Sequence, residues 1–73
     1  MKSIKENFKK NIEILQINLE RGMSCKQAFN AIDNQEKQFI SFNTYGEDEK
    51  DYINEMRATV IKHFMPLTIN IIK

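Results

Sequence analysis

The sequence predicts a mainly α fold, a small bundle of three to four helices, from three observations. Apolar residues recur at helical spacing near both ends of the chain, two capping boxes precede apolar runs, and an acidic cluster opens the last long stripe. The predicted helices are 4–21, 25–33, a short third over 35–44, and 47–64, followed by a short extended C-terminal tail. An α+β alternative places strands near 38–44 and 67–72. In either case residues 1–73 form a single domain, with no repeat, low-complexity segment or linker.

The first helix follows from Ser3-Ile4-Lys5-Glu6, a capping box in which serine and glutamate each satisfy the other's backbone amide. Ile4, Phe8, Ile12, Leu15 and Leu19 then fall on one face, at steps of four, four, three and four. Gly22 supplies the stop, with Arg21 in the last turn complementing the helix dipole. Ile14 and Ile17 lie off this stripe, so they either broaden the core face or form a second contact surface.

Ser24-Cys25-Lys26-Gln27 repeats the capping-box pattern, with Met23 placed to staple onto Ala28. Cys25, Ala28, Phe29 and Ile32 make the apolar face, and Asp33-Asn34 is expected to end the helix. Asp33-Asn34-Gln35-Glu36 would then cap the third helix, which carries Phe39, Ile40 and Phe42 and closes near Gly46. The same run, Phe39 to Tyr45, is rich in aromatic and β-favouring residues, which is the basis of the strand alternative. Farther on, Glu47, Asp48, Glu49 and Asp51 crowd a first turn. Tyr52, Ile53, Met56, Val60, His63 and Phe64 continue as a helical stripe, with Pro66 turning Met65 away from helical geometry. Leu67, Ile69 and Ile71 alternate with Thr68 and Asn70 in the tail.

Size and composition narrow the functional classes. A chain of 73 residues buries only about 60% of its unfolded surface, so its core is marginal. One cysteine, Cys25, permits no internal disulfide, and one histidine, His63, gives no zinc ligand cluster. Extra burial must then come from another chain, either a second copy in a homodimer or a different protein. No metal or cofactor is expected. The 11 cations against 10 anions leave a net charge of +1, too small a surplus for a protein that works by neutralising phosphates. Charges at Lys2, Lys5, Glu6, Lys9 and Lys10 interrupt any apolar leader, and no run is long enough to span a membrane. With an unpaired cysteine, these features lead to an expected cytoplasmic location. Ile, Lys and Asn make up 28 of the residues, a bias that suits an AT-rich genome such as that of a phage or mobile element.

Catalysis has little to build on. His63 lacks a nearby carboxylate in sequence, Cys25 lacks a histidine, and the two glycines form no phosphate loop. The segment 21–43 resembles the opening of a helix-turn-helix, with Ala28 or Ala31 as the small residue where the helices cross. Asp33-Asn34 departs from the glycine expected at the turn, and Gln35 to Asn43 offers one cation, Lys37. DNA binding is therefore the second choice. The first is a small non-enzymatic protein-binding regulator or inhibitor, docking through Ile14, Ile17, Phe39, Phe42, Tyr45, Leu67, Ile69 and Ile71.

Overall fold

In a computed structural model, which describes residues 4–65, three helices account for most of the described residues: α1 (Ile4–Glu20), α2 (Cys25–Ser41) and α3 (Glu47–Phe64). Ser3 of the first capping box and the tail after Met65 lie outside the described residues, including the expected strand at 67–72.

Ile12, Leu15 and Leu19 of α1 are buried as their spacing predicts, and Phe8 is half-buried beside them. The helix ends in a double-bonded turn. The Gly22 amide donates to the Leu19 carbonyl at 3.1 Å and the Met23 amide to Asn18 at 3.0 Å. Gly22 takes φ 111°, a left-handed value open to a residue without Cβ.

Ser24 then caps α2 as read from sequence: its hydroxyl accepts from the Gln27 amide at 3.1 Å, and the Gln27 side chain accepts from the Ser24 amide at 3.1 Å. The expected break at Asp33-Asn34 is absent. The predicted helices 25–33 and 35–44 are one helix, because its inner face continues through half-buried Gln35 and Glu36 to Phe39. Neither glycine nor proline interrupts it, and polar Asp33 and Glu36 find a partner on α3. The two-helix arrangement expected for 21–43 is therefore replaced by a turn and a single helix. The strand alternative over 38–44 also fails, since the helix runs to Ser41 and a turn follows. That turn has the same construction as the first. Asn43, at φ 58°, donates to Ile40 at 3.1 Å, and Thr44 donates to Phe39 at 2.8 Å.

Gly46 begins α3, its amide donating to the Glu49 carboxylate at 2.9 Å, with Glu47 and Asp48 completing an acidic first turn. Tyr52, Ile53, Met56 and Val60 are buried. The stripe stops there. His63 is exposed and Phe64 is 40% exposed, although the end of α1 at Leu19 and Glu20 still lies beside this part of α3. Met65 leaves helical geometry at φ −132°, as a residue before proline does.

α3 is the hub of the bundle. Both α1 and α2 pack along it, and they touch each other much less. Lys5 and Phe8 meet Asp48 and Tyr52, so α1 runs parallel to α3, whereas α2 runs antiparallel to it. Phe8 stacks on Tyr52 at 4.1 Å, and Phe39 meets both edge-on, at 6.0 and 6.1 Å. This aromatic group closes the end where α1 starts, α2 finishes and α3 starts.

Candidate protein-binding surface

The residues proposed from sequence for partner contact separate once folded. Ile14 and Ile17 each remain 49% exposed, although they sit in the middle of α1. At about 100° per residue, the pair projects about 160° away from the buried stripe of Phe8, Ile12, Leu15 and Leu19. They do not broaden the core. They form an outward apolar step one helical turn apart.

Phe39 belongs to the aromatic cluster and is half-buried. Tyr45 is half-buried as well, with its ring stacked on Phe39 at 6.2 Å and its hydroxyl donating to Glu36 at 2.6 Å. Both serve the fold in this arrangement. Phe42 is 74% exposed at the end of α2, and Ile40 is exposed beside it. Two positions apart, however, residues 40 and 42 project about 200° apart and make no common patch. Leu67, Ile69 and Ile71 lie outside the described residues. Ile61, Phe64 and Met65 are exposed at the end of α3; the sequence reading places Phe64 in the core stripe, treats Met65 as the residue before proline, and passes over Ile61. Ile14 and Ile17 are thus the pair among the sequence-proposed residues that is exposed on one helix face.

A second constellation was also missed. Arg57 of α3 donates to Glu36 at 2.9 Å and to Asp33 at 3.3 Å, while Tyr45 donates to the other Glu36 oxygen. Hydrogen bonds from Tyr45 and then Arg57 hold the Glu36 carboxyl below its usual range. The bond to Glu36 raises the Tyr45 phenol. Burial works against the Arg57 charge, but its bonds to Glu36 and Asp33 outweigh that and raise its pKa. The network is a clamp between α2, α3 and the connecting turn, with both Glu36 oxygens engaged.

His63 meets the neighbouring Phe64 ring edge-on at 4.8 Å, and Cys25 packs partly against the core. Among the described residues no group of three His, Cys, Asp or Glu side chains is placed to hold a metal ion. No helix among them is long and apolar enough to cross a membrane. The surface depressions are shallow and open; one lies between Gln16, Leu19 and Glu20 of α1 and Thr59, Lys62 and His63 of α3. The geometry offers a helical surface rather than an enclosed site. In comparisons with known proteins, no family model, no curated protein and no solved structure matches this chain.

Proposed function

We propose that this chain is a small non-enzymatic regulator that acts by docking on another protein through the outer face of α1. The observation that carries this reading is the half-exposed pair Ile14 and Ile17 in the middle of a well-formed helix. Neither is needed by the core, which already has Ile12, Leu15 and Leu19 from the same helix. Isolated exposed apolar residues are ordinary on a protein surface. Two β-branched residues one turn apart, on a chain too small to build a large core, suit a surface completed by a partner. A single thiol, Cys25, suits a reducing compartment such as the cytoplasm.

Capture from a cell lysate by immobilised wild type, compared with Ile14→Asp and Ile17→Asp, tests the reading. A protein retained by wild type and lost with both variants supports it, provided circular dichroism shows that the variants fold. Retention of the same protein by folded variants removes α1 from the interface. Salt-sensitive retention of duplex DNA by the purified chain would instead favour a nucleic-acid regulator.

A further inference from the structure

The outer row of α1 runs Lys10, Ile14, Ile17, Arg21, at steps of four, three and four. That is the spacing of a coiled-coil seam, with two apolar layers in the centre and a cation at each end. All four residues are exposed, and the Arg21 amide still donates to the Ile17 carbonyl at 3.0 Å, so the last position keeps the helical direction. Lys10 and Arg21 lie about 16 Å apart along the axis. One flank of this row carries Glu6, Glu13 and Glu20, and the other carries Asn7, Asn11 and Asn18.

This arrangement decides between a second copy and a different partner. In an antiparallel self-pairing that sets Ile14 on the copy's Ile17, the residue numbers of facing positions sum to 31. Lys10 then necessarily faces Arg21. In a parallel pairing every residue faces itself, so Lys10 meets Lys10 and Arg21 meets Arg21. Both two-fold arrangements bring cation against cation at the ends of a short apolar seam, where like charges oppose association. Resting on the docking role proposed above for the same face, we infer that its occupant is a helix of another protein. That helix carries an apolar pair three residues apart with a carboxylate four positions to either side. The carboxylates meet Lys10 and Arg21, and the apolar pair covers Ile14 and Ile17.

Two helix-stapled peptides test this against the full chain by NMR titration. One has the pattern Glu-xxx-Leu-xx-Leu-xxx-Glu, and the other replaces both glutamates with lysine. The acidic peptide is expected to bind at least fivefold more tightly, to shift the resonances of Ile14 and Ile17, and to weaken as salt rises. The double variant K10E/R21E is expected to reverse the preference. Equal binding, or preference for the lysine peptide, that is still lost with Ile17→Asp overturns the charge inference but leaves the docking face standing. Sedimentation showing a dimer that Ile17→Asp dissociates overturns it in favour of a second copy. No binding of either peptide overturns it as well, and the lysate capture then judges the broader reading independently.

Discussion

Arg57 of α3 donates to the Glu36 carboxylate of α2 at 2.9 Å, pinning together two packed helices that the turn at Asn43 joins in sequence. The same guanidinium reaches Asp33 one turn earlier on α2, at 3.3 Å. Spanning two acceptors three residues apart, it fixes the register of α2 against α3 in a way that apolar packing alone does not. Replacing Arg57 with methionine keeps the aliphatic stem and removes the bonds. The expected result is a lower urea midpoint with an unchanged slope, and less than additive loss when combined with Glu36→Gln. Strict additivity of the two variants would show that the pair is not energetically linked.

The same carboxylate sets the acid limb of stability. Bonds from Tyr45 and Arg57 lower the folded pKa of Glu36 from its ordinary 4.5, so the unfolded chain binds the proton more readily. The contribution is fully present above the ordinary value and is lost as pH falls through the folded one. Tyr45 has the opposite sign: its raised pKa gives a contribution present below 10 and lost as pH rises through the folded value. Thermal melts from pH 3 to pH 11 are expected to fall off at both ends. Glu36→Gln is expected to flatten the acid limb below about pH 4.5. An unaltered acid limb in that variant would assign acid sensitivity to other carboxylates.

Much of the fold is legible in local chemistry. The Ser24–Gln27 box, the Gly22 stop and the stripes of α1 and α3 are each set by residues within a few positions of one another. The break at Asp33-Asn34 is misread for a definite reason. Asp and Asn favour helix ends in isolation, but here Asp33 and Glu36 both pair with Arg57, more than 20 positions away. Nothing within a local window contains that partner. Asn43 is a different case: asparagine is the usual second choice for a left-handed stop, and the signal is present but weaker than that of Gly46 nearby. For the binding surface, spacing separates Ile14 and Ile17 from the core stripe. It does not show that Phe39 and Tyr45 turn inward, which depends on Phe8 and Tyr52 arriving from other helices.

The two turns give a paired prediction. Gly22→Ala places a Cβ at φ 111°, where steric space is open but the backbone conformation is strained, and is expected to cost about 1–2 kcal/mol. Asn43→Gly removes a smaller strain at φ 58° and is expected to leave stability unchanged or slightly raised, whereas Asn43→Val lowers it. Chemical denaturation ranks the three. A neutral Gly22→Ala would mean that the α1–α2 turn relaxes to another geometry at no cost.

Finally, the core and the outer face of α1 make opposite demands on the same residue type. Ile53 is fully buried where α3 faces the other helices, so Ile53→Ala is expected to destabilise by about 2–5 kcal/mol. For a chain of this size that loss takes much of the total stability. Ile17 is half-exposed, and Ile17→Ser is expected to change stability by about 0.5 kcal/mol or less. Urea unfolding of the two variants beside wild type measures both effects. A loss for Ile17→Ser as large as that for Ile53→Ala would place Ile17 in the packing of the bundle. A small loss, with partner capture abolished, assigns its apolar surface to association.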